Sequence, residues 1–275
     1  MQAPVIMGIV NVTPDSFSDG GLFLDAGAAV EHGRRLAAEG AAILDIGGES
    51  TRPGADPVPA REELQRVIPV IAGLAGVATV SIDTMKVAVA EAAVDAGASY
   101  VNDVSAFRHD PDLAAFVADR KLDCCLMHMR GEPRTMQDEP RYDDVVSDVK
   151  AFLAERMEAA MRAGVAEERI QLDPGIGFGK TIEHNLELLR RLRELTDLGR
   201  PLVIGTSRKS FLGRITGRDV TERVPATVAT CVLAYERGAT VFRVHDVAAV
   251  ADALKVADAT VAGWPTTSPR TTRTT

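Results

Sequence analysis

The sequence predicts a single-domain α/β protein folded as a (β/α)8 TIM barrel, and two observations lead to this prediction. Short apolar runs alternate with longer alanine-rich helical stretches along the 275-residue chain. The apolar runs are continuous rather than alternating in polarity, which is typical of parallel strands covered by helices. Roughly eight such β/α units in this length favour a closed barrel, and a doubly wound open sheet is the structural alternative.

The predicted elements follow one another in a regular order. Strands are predicted at residues 5–10, 42–46, 79–82, 100–102, 123–127, 170–172, 202–204 and 240–244. Helices are predicted between them at residues 26–39, 87–96, 145–163, 185–195 and 225–237, with a last helix at residues 246–261. Several helices stop at glycine just before the next strand, as in "AAEGAAILDI" and "YERGATVFRVH". Glycine is the expected stop because it adopts the left-handed conformation without a Cβ penalty.

The domain is predicted to span residues 1–264. Residues 265–275, "PTTSPRTTRTT", have no apolar periodicity, and we expect them to form a disordered tail.

The composition argues against several classes of protein. Acidic residues outnumber basic ones by 39 to 31, and the resulting net charge of −8 argues against nucleic acid as a partner. Three cysteines, two of them adjacent at Cys124 and Cys125, cannot form the disulfide framework of a secreted protein, and we expect buried thiols. The apolar start "VIMGIV" is too short to span a membrane and lacks the basic leader of a signal peptide. We therefore expect a cytoplasmic protein without a membrane partner.

Polar side chains gather just after the predicted strands. The loop "NVTPDSFSDGG" follows the first strand and contains Asn11 and Asp19, and "GGESTRPGA" follows the second and contains Thr51 and Arg52. In a parallel barrel every strand opens on the same face at its carboxyl end, so these residues are expected to converge on one mouth. Turn chemistry alone would explain the prolines and glycines of both loops, but long polar loops at this face usually carry ligand contacts.

Three polar residues end apolar strands and are expected to face the barrel interior: Asp83, Asn102 and Asp173. A buried carboxylate is costly unless it is paired or bound to a ligand. Two carboxylates and an amide suit a heterocycle rich in N–H donors, because one carboxylate can accept two such bonds. For Asp173 alone, capping of the following turn is a competing interpretation.

The stretch "DPGIGFGKT" ends like a nucleotide-binding P-loop, but Pro174 stands where that motif requires its first glycine. We therefore expect Gly175, Gly177 and Gly179 to let the backbone pass close to a flat ligand, with Asp173 as the functional residue.

Basic residues follow the last two strands. In "GTSRKS" the pair Arg208 and Lys209 is expected to face a negative or acceptor atom at the mouth. In "FRVHDV" Arg243 and His245 lie two residues apart on one side of an extended strand, at the start of the final helix, which predicts an anion site. A metal-ligand role for His245 is not favoured by the spacing, and His128 is interpreted as a core or rim histidine.

Seven motifs occur in one order: "NVTPDSFSDGG", "DIGGESTRPGA", "SIDT", "VNDVSA", "DPGIGFGKT", "GTSRKSF" and "RVHDV". From about residue 5 to about residue 261 the chain thus resembles the dihydropteroate synthase family, folate-pathway enzymes that sulfonamides target. The resemblance implies a TIM barrel that condenses dihydropterin hydroxymethyl diphosphate with para-aminobenzoate, giving dihydropteroate and pyrophosphate. It also implies a homodimer and a Mg²⁺ ion.

The resemblance assigns roles residue by residue. The pterin ring would bind Asp83, Asn102, Asp173 and Lys209, and the expected catalytic residues are Asp19, Asp83, Asp173 and Lys209. The remaining implied contacts are Thr51 to the pterin diphosphate, Arg243 and His245 to its diphosphate, Asn11 to Mg²⁺, and Arg52, Pro53 and Ser210 at the para-aminobenzoate site.

Two alternatives share the predicted pterin site. A pterin-dependent methyltransferase makes no diphosphate, which would leave "RVHDV" and "TRPG" without a purpose. A catalytically silent pterin-binding paralogue would be expected to lose loop residues first, yet both long loops carry the family pattern.

Overall fold

The computed structural model describes residues 2–13, 26–51, 54–131 and 134–263, and the elements within them alternate between strand and helix. The strands are β1 (Val5–Asn11), β2 (Ile43–Gly47), β3 (Thr79–Asp83), β4 (Tyr100–Asp103), β5 (Asp123–Met127), β6 (Ile170–Asp173), β7 (Val203–Ile204) and β8 (Val241–Val244). The helices are α1 (Ala26–Ala38), α2 (Ala60–Leu74), α3 (Val87–Asp95), α4 (Asp112–Asp119), α5 (Val145–Arg162), α6 (Ile182–Arg190), α7 (Ser210–Thr216), α8 (Val224–Glu236) and α9 (Val247–Ala262). Short 3-10 turns occupy Glu167–Arg169, Leu192–Leu198 and Val220–Glu222.

The eight strands form one parallel sheet in the order β6-β5-β4-β3-β2-β1-β8-β7. Its two ends meet through a parallel bridge between Leu172 and Leu202, where the Leu172 N–H donates to Pro201 O at 3.0 Å. The sheet is therefore a nearly closed (β/α)8 barrel. This confirms the predicted fold class over the doubly wound alternative, which would leave both edges open.

Several predicted strands end one residue too early. The ladders of β1, β3 and β6 extend one residue further than predicted, into Asn11, Asp83 and Asp173. Their backbones therefore belong to the sheet, which fixes the direction in which each side chain leaves the strand. Residues 265–275, for which a tail was predicted, lie outside the described residues.

The barrel interior changes character from one end to the other. Its floor is an apolar cluster of side chains from six of the eight strands: Met7, Ile43, Tyr100, Cys125, Val203 and Val241. A second, larger apolar cluster lies between the strands and the surrounding helices, and it buries Leu74, Leu126 and Leu188 completely. All three cysteines are buried, as the sequence predicted. Among the described residues, the helices are too short or too polar to cross a membrane.

The glycines after β6 are required by the backbone of the neighbouring loop, whereas the sequence led us to expect that they would accommodate a ligand. A Cβ at Gly175 would lie 1.8 Å from His128 O, and one at Gly179 would lie 2.5 Å from Arg130 O. Both residues also have positive φ, 66° and 63°. The chain after β6 thus passes directly against the loop after β5.

We expect Gly175→Ala to destabilise the fold far more than Gly199→Ala, which serves as its matched control. Gly199 has nearly the same φ, 71°, but a Cβ added there would meet no described atom within 4 Å. Both variants therefore lose about 1–2 kcal/mol for the left-handed backbone, and only Gly175→Ala adds a backbone clash of at least about 2 kcal/mol. Urea denaturation measures the difference, and equal losses would contradict it.

Candidate active site

The carboxyl ends of β1 to β4 bring polar residues into adjacent positions. Asn11 is in register with Gly47, and Gly47 is in register with Asp83. Asp83 in turn is the ladder partner of Asn102. This register places the four residues side by side at the barrel mouth, where a Cβ at Gly47 would lie 3.5 Å from Asp83 Cβ.

The centre of this site is Asp45, a residue that sequence reasoning did not single out. Asp45 lies inside β2 with no exposed surface. Its Oδ1 accepts a hydrogen bond from Ser81 Oγ at 2.6 Å, and its Oδ2 accepts from Asn102 Nδ2 at 3.0 Å. Arg243 Nε also donates to Oδ2, at 2.6 Å. The sequence feature that could have identified Asp45 is its position as an acidic residue in the middle of the apolar strand "ILDIG".

Arg243 joins two carboxylates. Besides Asp45, it binds Asp83 through Nη2–Oδ2 at 2.7 Å. Burial raises the pKa of Asp83 to about 8, and Asp45 and Glu63 add to the rise, while Arg243 opposes it. Burial opposes the charge of Arg243 as well, but Asp45 and Asp83 together raise its pKa above the ordinary value. The guanidinium therefore stays charged, and its plane is fixed by two partners.

Asp173 and Lys209 form the second charged part of the interior. Asp173 Oδ1 accepts from the Gly175 N–H at 2.7 Å, so this carboxylate does cap the following turn. Burial raises the pKa of Asp173, while Lys209 and Arg243 lower it. Burial lowers the pKa of Lys209 to about 8, against the attraction of Asp173. The ammonium group donates to Ile176 O and lies 4.7 Å from the centroid of the Phe178 ring.

Lys180, the lysine of the P-loop-like motif, is turned into the protein. Its Nζ is 2.8 Å from His128 Nδ1 and donates to Phe178 O at 3.0 Å. Burial holds the pKa of Lys180 well below its usual range, and burial together with Lys180 lowers the pKa of His128 to about 2. His128 is thus a neutral, satisfied core histidine, and the lysine is not placed to hold a nucleotide phosphate.

At the rim, the loop after β7 is bonded to the loop after β8. The His245 N–H donates to Ser207 Oγ at 3.1 Å, and the same hydroxyl lies 2.9 Å from His245 Nδ1. The backbone of Arg208 has a positive φ of 58°. Its guanidinium donates through Nε and Nη2 to the two carboxylate oxygens of Asp246. Arg208 therefore faces a carboxylate at the start of α9, and Lys209 faces the interior.

The other predicted site residues are only partly described. Thr51 is half-buried in the loop after β2, four residues beyond Gly47, and Ser210 is exposed as the first residue of α7. Asp19, Arg52 and Pro53 lie outside the described residues. The role of each remains a prediction.

The predicted metal ligand, Asn11, ends β1 and offers one amide oxygen. Within the described ranges, no group of three or more His, Cys, Asp or Glu residues is arranged to hold a metal ion. A Mg²⁺ ion keeps waters and commonly binds substrate phosphates with few protein ligands, so a single oxygen at the mouth fits such an ion only together with a phosphate substrate.

Comparison with known proteins agrees with this geometry. The sequence profile described as "pterin binding enzyme" matches residues 7–245. The dihydropteroate synthase of Synechocystis is 48% identical over 257 residues, covering 92% of this chain and 89% of the relative. Two solved structures of dihydropteroate synthase from Xanthomonas albilineans superpose closely. One, with 4-aminobenzoic acid, gives a TM-score of 0.88 at 52% identity, covering 94% of this chain and 93% of that one. The other, in complex with 7,8-dihydropteroate, gives a TM-score of 0.85 at 49% identity, covering 94% of each chain.

These matches extend over nearly the whole chain and include the strand ends that carry the polar cluster. The chain belongs to the family of pterin-binding enzymes. Within that family, its full-length relatives place it among the dihydropteroate synthases.

We expect Asp45→Asn to lower the free energy of unfolding by about 2–3 kcal/mol, because an amide Nδ2 placed among the Asn102 and Arg243 donors leaves buried groups unpaired. Asp197→Asn is the control, since Asp197 pairs with Lys150 at 2.8 Å on the exposed surface. The control should change stability by no more than about 0.5 kcal/mol. Urea denaturation of both variants tests this, and a loss at Asp45 no larger than at Asp197 would show that the network is not tightly coupled.

Proposed function

We propose that this chain joins dihydropterin hydroxymethyl diphosphate to para-aminobenzoate, producing dihydropteroate and pyrophosphate in folate biosynthesis. The observation that carries the proposal is the convergence of Asp45, Asp83, Asn102 and Arg243 in one bonded group within the barrel. The ligands of the two Xanthomonas structures, an aminobenzoate and a dihydropteroate, support the same reaction.

The interior is suited to a pterin ring. Asp83, Asn102 and Asp173 offer acceptors to the ring's N–H groups, and a carboxylate can accept two parallel bonds from a guanidine-like edge. Lys209 supplies a donor for a ring acceptor. These four side chains are held in place before any ligand arrives, so little conformational entropy is lost on binding.

The reaction needs ionisation of a leaving group rather than a protein nucleophile. The C–O bond to the diphosphate breaks with its electron pair remaining on pyrophosphate. The amine nitrogen then forms the new C–N bond and releases a proton to solvent. Burial raises the pKa of the thiols of Cys124 and Cys231 above the ordinary range, so neither is an available nucleophile.

Charge stabilisation is shared between the rim and the interior. Arg243 and His245 hold the diphosphate, and Asn11 would hold in part a Mg²⁺ ion, which would supply further neutralisation of the leaving group. The carboxylates of Asp83 and Asp173 stabilise the positive charge that develops on the pterin side. Thr51 contacts the pterin diphosphate, and Asp19, Arg52, Pro53 and Ser210 contribute from the loops, as the family resemblance implies.

We also propose a cytoplasmic homodimer. Support for the dimer comes from apolar residues left exposed on the packed helices α8 and α9, among them Leu233 at 44% and Val256 at 68% exposure. A monomer in sedimentation equilibrium would refute it.

An assay of pyrophosphate release tests the reaction. Release should require both the pterin diphosphate and the amine, and Asp173→Asn should lower kcat/KM by about a hundredfold through loss of the ring's charged partner. Asp123→Asn is the matched control, because Asp123 lies at the opposite, amino end of β5 and pairs with Arg169 at the surface. Wild-type protein that releases no pyrophosphate at any concentration would instead support the silent paralogue.

The pH profile tests the role of Lys209. Its ammonium form is the donor, and its pKa is about 8, so the contribution of Lys209 to kcat/KM should be lost as the pH rises through that value. Asp83 titrates in the opposite sense, with its acceptor form gained as the pH rises, so only the alkaline limb reports on Lys209. In Lys209→Arg the side chain stays protonated, and the alkaline fall should disappear. The same alkaline fall in that variant would assign it to another group.

A further inference from the structure

A second cluster of buried charges lies behind the loop that follows β2, outside the barrel interior. Lys86 Nζ is 2.5 Å from Glu49 Oε2 and 2.6 Å from Glu63 Oε2. Glu63 has no exposed surface, and the side chains of Glu49 and Lys86 are 8% and 17% exposed. The three residues come from three elements: the loop after β2, helix α2 and the turn after β3.

Glu49 also closes the loop on which it lies. Its second oxygen, Oε1, accepts from the Val58 N–H at 3.0 Å, so one carboxylate binds both ends of the segment between these two residues. The residue before it is held as well, because Arg66 Nη1 donates to Gly48 O at 2.6 Å. Thr51, the predicted contact to the pterin diphosphate, lies two residues after Glu49 inside this closed segment.

Lys86 connects that segment to the ring site. Strand β3 ends at Asp83, whose carboxylate faces the interior and binds Arg243, and Lys86 follows three residues later. The short turn between them means that the position of Lys86 is set by the end of β3. Through Glu49, the loop that carries Thr51 is therefore aligned on the same strand that carries Asp83.

Stability alone does not account for this cluster. It contains two carboxylates and one ammonium group, and Glu63 Oε1 is buried without a hydrogen-bond partner in the described part of the chain. Replacing a buried ion cluster by apolar residues of similar volume is often neutral or stabilising. This cluster has one more buried negative charge than positive charge, so we explain it by the loop geometry that it imposes. Its hydrogen bonds are directional and therefore favour one arrangement of the loop.

We propose that Lys86 and Glu49 are positioning residues for the reaction: together they fix the backbone at Glu49 and at Val58, so that Thr51, two residues after Glu49, is aligned with the ring site at Asp83. They touch neither substrate nor reacting atoms. This inference rests on the proposed function, because it specifies how one part of that site is assembled.

The first test is Lys86→Met in the full-length protein, assayed with two probes. The kcat/KM for the pterin diphosphate should fall about tenfold or more, because small displacements of a contact residue cost that much in rate. Affinity for 6-hydroxymethylpterin, which lacks the diphosphate and reports on the ring pocket, should change by no more than about twofold. Lys150→Met is the matched control: its Nζ pairs with Asp197 at 2.8 Å between outer helical segments, and both measurements should stay at wild-type values.

The second test separates positioning from stability. Lys86→Met leaves two buried carboxylates without a counter-ion, so its melting temperature should drop, and adding Glu63→Leu should restore much of that loss. Under the proposal, kcat/KM for the pterin diphosphate stays low in the double variant, because Glu49 still has no anchor. Recovery of kcat/KM together with the melting temperature would overturn the proposal, as would wild-type kinetics in Lys86→Met.

The wild-type protein distinguishes the two ways of failing. If it releases pyrophosphate only when the amine is present but the Lys86 variants match it, the positioning role is wrong and the function stands. If the wild type shows no amine-dependent release, the proposed function itself fails.

Discussion

The ion pairs of Arg243 with Asp45 and Asp83 are the constraint around which the interior is organised. Two carboxylates this deeply buried would be unstable as neighbours without a shared cation, and Arg243 approaches Asp45 at 2.6 Å and Asp83 at 2.7 Å. The parallel register of the strands brings all three side chains to the same end of the barrel. Asn102 and Ser81 then use further acceptor positions of Asp45, so four strands contribute to one network.

This network divides the barrel into a part that stabilises the fold and a part that performs chemistry. Below it, the apolar cluster of Met7, Tyr100 and their neighbours fills the floor. Asp83 of this network, together with Asp173 and Lys209, has a pKa value displaced by burial, a pattern that is common at functional sites. Under the proposed function, a donor-rich ring entering this space would form bonds to side chains already held in place, so its binding energy would go into orientation instead of protein rearrangement.

The sequence predicted the fold well because the strand signal is local. Continuous apolar runs located all eight strands, and polar residues at their ends indicated which face is functional. The sequence did not predict partners, since these depend on the closed barrel: Asp45 and Arg243 are 198 positions apart and meet only because β2 and β8 flank β1. The same limit explains Gly175, whose close neighbour is the backbone of another loop, and Lys180, whose motif suggested phosphate while its contact is His128.

The Arg243 network and the Lys86 cluster differ in their relation to the proposed substrate. Arg243 balances its carboxylates within the site, where a bound diphosphate would be a further partner of the same cation. The Lys86 cluster instead joins the loop after β2 to helix α2 through side chains that are at most 17% exposed. Since Asp83 and Lys86 stand on one short turn, any shift of the end of β3 moves the ring contact and the loop anchor together. Under the proposal, that mechanical connection keeps the two halves of the pterin diphosphate site in a constant relation.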